Sequence, residues 1–296
     1  MSENALWRTI TLHANGLTFR AIAAGKGPLI LALHGFPDIP TTFRHQLPVL
    51  AAAGYRVVAP YMRGYAPSDV PPDGAFEIAA LIQDTLAMID QLTDDPAILI
   101  GHDFGSSAAS GAARMAPAKV NRLITLAVPQ GGTLSQALVA NPAQQRRSWY
   151  MAFFQLSFAE AAVAHNDFAF LERLWQDWSP NWAYPPEEMA ALKGTFCQPG
   201  VVKAGLNYYR SAFNPAYQHP DLADIRSRQR EPVPVPTLYI HGANDGCIGV
   251  EVTDGMEKAY SSYFEKHIVP NAGHFVHQEQ PSIVNRLILN FLKRKV

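Results

Sequence analysis

Ala97-Ile98-Leu99-Ile100-Gly101-His102-Asp103-Phe104-Gly105-Ser106 passes from an apolar run through a glycine-flanked bend into small residues that continue to Met115. An apolar run without alternation reads as a strand buried on both faces, and the small residues read as a helix lying close against it. Glycines at 101 and 105 permit that approach while residue 103 points out of the bend, the local form of a nucleophile elbow. Further out, Leu29–Leu33, Tyr55–Ala59, Leu123–Val128 and Thr237–Ile240 read as buried strands of the same kind. Helical stretches at Phe76–Leu92 and Ser106–Met115 lie between them, and Pro281–Lys295 closes the chain with apolar residues at helical spacing. Strand alternating with helix predicts a mostly parallel, doubly wound α/β sheet. Residues 7–24 alternate around Asn15-Gly16 and predict an N-terminal β-hairpin.

The alternation stops after Pro129. The residues that follow read as helical, with starts at Asn141-Pro142, at Pro185-Pro186-Glu187-Glu188 and after Gly200, and Pro232-Val233-Pro234-Val235-Pro236 leads stiffly back to the sheet. Residues 137–222 hold 16 of the 31 aromatic residues and four of the five tryptophans. The expected organisation is a core domain of residues 1–136 and 223–296 with a helical cap of residues 137–222. Such a cap belongs over the carboxyl edge of the sheet, where open α/β sheets bind ligands.

Composition sets the limits. The 296 residues carry 24 basic and 25 acidic side chains, a net charge of −1, and 48% hydrophobic residues. No field exists to draw the protein onto nucleic acid or an anionic membrane, so a small-molecule substrate is the expected partner. Only 17% of residues are charged, against about 25% in ordinary globular chains, which favours an apolar internal pocket. Cys197 and Cys247 are too few for a disulfide framework or a metal cluster. The first residues lack the basic start and apolar run of a secretory leader, and no apolar stretch approaches the roughly 20 residues that cross a bilayer. A cytoplasmic protein of undetermined oligomeric state is expected.

In esterases the exposed elbow residue is serine, which needs a base to remove its proton. Asp103 is ionised at neutral pH with no such help and is suited to attack an sp³ carbon, forming an alkyl ester on the enzyme. Asp245, just past the strand at 237–240, and His274, just past a strand ending at Val269, complete the chain order nucleophile, acid, histidine expected of an α/β-hydrolase fold. His102 and His277 read as structural. His34-Gly35-Phe36-Pro37 follows the strand at 29–33, so the backbone N–H groups of Phe36 and Phe104 form the expected oxyanion hole. The Phe36-Pro37 bond is either cis or an ordinary loop proline.

Together, His34-Gly35-Phe36-Pro37, Gly101-His102-Asp103-Phe104-Gly105, Asp245 and Gly273-His274 resemble the epoxide hydrolases of the α/β-hydrolase fold, over essentially the whole chain. The resemblance makes Tyr150, in Ser148-Trp149-Tyr150, and Tyr209, in Asn207-Tyr208-Tyr209-Arg210, the ring-opening acids, with Tyr208 as the rival to Tyr209. Opening an epoxide yields an alkoxide, which a phenol of pKa about 10 protonates readily while remaining neutral at pH 7. Aromatics beside Tyr150, namely Trp149, Phe153 and Phe154, are the expected substrate contacts and imply an apolar or aryl epoxide. No metal or organic cofactor is expected. The runner-up is a haloalkane dehalogenase, which resembles this set but grips halide with a Trp after the nucleophile and a Trp or Asn after His-Gly; here both places hold phenylalanine, which has no side-chain donor. Phe104 also stands where fluoroacetate dehalogenases carry Arg, and Tyr61 stands where relatives often carry Asp. A non-catalytic ligand receptor on the same scaffold would have no need of nucleophile, base and acid together.

Overall fold

Parallel strands buried on both faces need helices on both sides, and that requirement organises the molecule. The computed structural model describes residues 7–295, so Met1–Leu6, read above for a leader, lie outside it. The strands are β1 (Arg8–Ala14), β2 (Leu17–Ala24), β3 (Leu29–Leu33), β4 (Arg56–Pro60), β5 (Ala97–His102), β6 (Val120–Leu126), β7 (Thr237–Gly242) and β8 (Phe264–Val269). They form one sheet in the order β1-β2-β4-β3-β5-β6-β7-β8, antiparallel at β1/β2 and β2/β4 and parallel elsewhere. The expected hairpin is present, turning at Asn15 and Gly16 with positive φ at both.

Side-chain alternation divides the core. Ile30, Val57, Ile98, Ile124 and Leu238 face α1 (Gln46–Ala52) and, near the carboxyl end of the chain, Val284, Ile288 and Phe291 of the last helix. Leu31, Val58, Leu99 and Leu123 face α2 (Ile78–Leu92) and α3 (Phe104–Met115). Both layers are built of buried apolar side chains, which secures the sheet from each side.

Between β6 and β7 the chain is helical: α4 (Thr133–Ala140), α5 (Pro142–Arg147), α6 (Trp149–Phe153), α7 (Ala159–Trp178), α8 (Pro186–Phe196), α9 (Val201–Phe213) and α10 (Ala223–Arg228). A short helix, α11 (Val276–Glu279), and the longer α12 (Pro281–Lys293) follow β8. α5 starts as the sequence predicts, with the Asn141 side chain accepting from the Ala143 and Gln144 amides at 2.9 and 3.2 Å. Residue 137, the expected start of the cap, falls inside α4. α7 is interrupted by non-helical backbone at His165–Phe168. The inserted helices cover the carboxyl edge of the sheet: Trp175 Nε1 donates to the Pro37 carbonyl at 2.9 Å, and Phe154 packs edge-on against Phe36.

Candidate active site

Asp103 occupies the bend between β5 and α3 with φ 52° and ψ −122°, a region that costs a non-glycine residue about 1–3 kcal/mol and is held only by its surroundings. A Cβ at Gly105 would collide with the Leu33 carbonyl and one at Gly101 with the Gly105 carbonyl, so the strand–helix approach demands glycine at both ends of the bend. The Asp103 carboxylate is buried and its Oδ1 accepts the Phe36 N–H at 2.8 Å. Phe104 is the first residue of α3, and its amide is among those a helix leaves without an intrahelical acceptor. The Phe36-Pro37 bond is cis.

Burial by itself would raise the Asp103 pKa. The hydrogen bond and charge of His274, with His102 and the Phe36 amide behind them, outweigh burial and hold it below the ordinary carboxylate value.

His274 follows β8, and its Nδ1 donates to Asp245 Oδ2 at 2.9 Å while its Nε2 lies 3.5 Å from Asp103 Oδ2. Asp245 is fixed in turn, its Oδ1 accepting the Cys247 and Ile248 amides at 2.7 and 2.8 Å. Burial works against a charged imidazole, but Cys247, Asp245 and Asp103 around the ring prevail and hold His274 well above the usual histidine value. The loops that carry Asp245 and His274 hang from one atom of the cap: the Trp178 carbonyl, at the end of α7, accepts the Gly246 N–H at 3.0 Å and the His274 N–H at 3.1 Å. His102 donates from Nε2 to the His274 carbonyl at 3.0 Å, and burial lowers its own pKa to about 3. His277 is 2.6 Å from Thr42 Oγ1 and likewise buried. Neither ring reaches the cavity.

Asp103, Tyr150 and Tyr209 line one cavity of about 230 Å³ between the sheet and the inserted helices. The Tyr209 hydroxyl is buried and has no hydrogen-bond partner, and the Tyr150 hydroxyl lies 3.3 Å from Cys247 Sγ. The two rings stand 5.5 Å apart and nearly perpendicular. Burial pushes both phenols well above 10. Tyr208 faces elsewhere, donating its hydroxyl to the Arg63 carbonyl at 2.8 Å.

The expected contacts Trp149, Phe153 and Phe154 do not line the cavity. α6 presents Tyr150 and Met151 to it, which turns Trp149 and Phe153 toward Phe170 of α7 and leaves Phe154 packed behind Tyr150 and Tyr209. Leu134, Leu138, Met151, Phe213 and Ile248 supply the apolar wall instead.

Residues 28–281 match the family model described as alpha/beta hydrolase fold. The chain is 33% identical to AB hydrolase superfamily protein YfhM of Bacillus subtilis, over 96% of this chain and 97% of that one. It is 33% identical to Epoxide hydrolase 4 of Homo sapiens, over 97% of this chain and 78% of the relative. Among solved structures, the Bacillus megaterium epoxide hydrolase in complex with an inhibitor superposes with a TM-score of 0.83 at 28% identity, covering 96% of this chain and all of that one. The chain belongs to the epoxide hydrolase family of the α/β-hydrolase fold.

Within this family member, the residues that sequence reasoning missed are contacts between distant segments. Gln144 of α5 is buried: its amide donates to the Cys247 carbonyl at 2.8 Å and to Ser148 Oγ at 2.9 Å, and its Oε1 accepts the Gly249 N–H at 2.9 Å. It clamps the Asp245 loop to the cap. Cys247, read only as an unpaired cysteine, lines the cavity. Tyr61 lies outside that lining, its amide donating to the Arg20 carbonyl at 2.8 Å. Asp38, His102 and His277 bring ligand-type atoms within 4.8 Å of one another, as do Asp245, Cys247 and His274; the second group is built around the triad itself.

Proposed function

We propose that this epoxide hydrolase family member converts a neutral, apolar epoxide to a vicinal diol through an ester on Asp103. The observation that carries the reading is the placement of one carboxylate and two buried phenols, Tyr150 and Tyr209, on the same small cavity. Asp103 Oδ2 attacks an epoxide carbon and the carbon–oxygen bond breaks. Tyr150 and Tyr209 hydrogen-bond the departing oxygen and one of them protonates it. Oδ1, held by the Phe36 amide, becomes the ester carbonyl oxygen.

The second half uses the charge change made by the first. Esterification removes the Asp103 anion, one of the charges that favours the imidazolium, so His274 gives up its proton more readily and becomes a base. It takes a proton from water, oriented by Asp245, and that water attacks Cγ of Asp103. The tetrahedral intermediate then expels the diol oxygen, breaking the ester bond, and the hydroxyl proton left on the carboxyl passes to that oxygen. The Phe36 and Phe104 amides stabilise the oxyanion, an effect typically worth about 10²–10³ in rate per donor.

The lining contains no Lys, Arg, Trp or Asn. It therefore offers no cationic side chain to a substrate carboxylate and no indole or side-chain amide N–H to a halide, which favours epoxide over haloalkane. A cavity of about 230 Å³ is below the range of about 300–1,000 Å³ that holds drug-sized ligands, and fits an epoxide with one ring or a short chain. Single-turnover reaction in ¹⁸O water tests the route: label is expected in the Asp103 carboxylate, and label appearing directly in the diol would overturn it. Assay of diol against halide release, across a panel of epoxides and haloalkanes, tests the substrate class.

A further inference from the structure

We propose that Cys247 carries a proton from His274 to Tyr150 between the two half-reactions, a role that rests on the hydrolytic route above. At the ester stage a tyrosine has given its hydroxyl proton to the opened epoxide oxygen, and His274, an imidazolium in the resting enzyme, must lose one before it can act on water. Transfer of the imidazolium proton to the phenolate meets both needs, restoring the phenol and freeing the base. Tyr150 is 1% exposed and His274 0%, so the transfer needs a path inside the protein.

Cys247 occupies that path. Its Sγ lies 3.3 Å from Tyr150 Oη and within 4.8 Å of a His274 ring nitrogen. Its backbone N–H donates to Asp245 Oδ1 at 2.7 Å, which ties the thiol to the triad. The Tyr209 hydroxyl is buried without a partner on the same cavity, so this wall is arranged for a reacting group and not closed off by an internal hydrogen bond.

The transfer balances in two hops. The S–H bond breaks as an O–H bond forms on the Tyr150 phenolate; then the His274 N–H bond breaks as the S–H bond re-forms. Cysteine ends unchanged, and no oxidant or co-reactant takes part. Esterification takes away one of the charges that hold the imidazolium proton, and burial makes the Tyr150 phenolate a strong acceptor for it.

Cys247→Ala and Cys247→Ser test the relay with an aryl epoxide, in single-turnover and steady-state experiments. All three proteins are expected to form the Asp103 ester at the same rate in the first turnover. In Cys247→Ala the kcat is expected to fall about 10- to 100-fold, at or below the usual worth of a positioned proton-transfer group, and to recover as a small buffer such as imidazole is added. Cys247→Ser, whose hydroxyl also passes protons, is expected to restore most of the rate. A wild-type kcat in Cys247→Ala at every buffer concentration removes the relay while leaving the hydrolase reading intact. A loss already present in ester formation and not repaired by serine makes Cys247 a packing residue instead. Absence of diol from the unaltered protein removes both readings together.

Discussion

Asp103 and His274 face each other as carboxylate and imidazolium, 3.5 Å apart, and each sets the other's protonation. Replacing His274 with Gln is expected to leave the first half-reaction working and stop the second, so intact-mass spectra should show protein heavier by one substrate, with kcat reduced by at least about 10³. Unmodified protein under turnover conditions would contradict this. The pH profile follows from the same groups. For kcat/KM, the acid limb belongs to Asp103 and is expected below the ordinary carboxylate value of 3.8. The alkaline limb belongs to the phenols and is expected above 10. Replacing Tyr150 and Tyr209 together with Phe is expected to abolish ring opening while Asp103 stays ionised; full activity in diol assays would show that the acids lie elsewhere.

At the scale of elements, much was legible because the information is local. β5, its glycine-flanked bend and α3 follow from ten consecutive residues, and the N-cap of α5 follows from Asn141-Pro142. Asp245 and His274 were legible because each lies just past a strand end. What a short helix points at was not legible: α6 carries five residues, most of them large and apolar, and only packing against α7 shows that Met151 meets the cavity while Trp149 and Phe153 turn away. Gln144 escaped for a related reason. Its partners Cys247 and Gly249 are more than 100 residues distant, and a buried glutamine has no sequence signal. Gln144→Ala would strand the Gly249 N–H and the Cys247 carbonyl in the interior. The expected cost is about 2 kcal/mol or more in chemical denaturation, with a fall in kcat as the Asp245 loop loosens. A variant with unchanged stability would show that the clamp carries no strain-bearing role.

Across the whole molecule, buried imidazoles govern the response to acid. Burial lowers His34 to about 4 and His102 to about 3, and lowers His241 and His277 as well. In the unfolded chain these rings titrate near 6.5. Below that pH the unfolded state binds protons that the fold refuses, so stability falls as the pH drops. Asp38, raised to about 7 by burial, acts in the opposite sense between about 4 and 7, because its folded form takes up a proton that the unfolded form does not. The lowered imidazoles outnumber the raised carboxyls, Asp38 and Glu279, and leave a net loss: the Tm is expected to decline from pH 6.5 to 4.5 in scanning calorimetry, and to decline less in His102→Gln. A flat profile would overturn this account. The Trp178 carbonyl carries a different consequence. Because it holds the Gly246 and His274 amides at once, the carboxyl end of α7 has no freedom to lift like a hinged door without pulling the Asp245 and His274 loops out of register. Substrate traffic is therefore expected to run past Leu138 and Phe213 by side-chain motion, with the chemistry staying assembled while the doorway breathes.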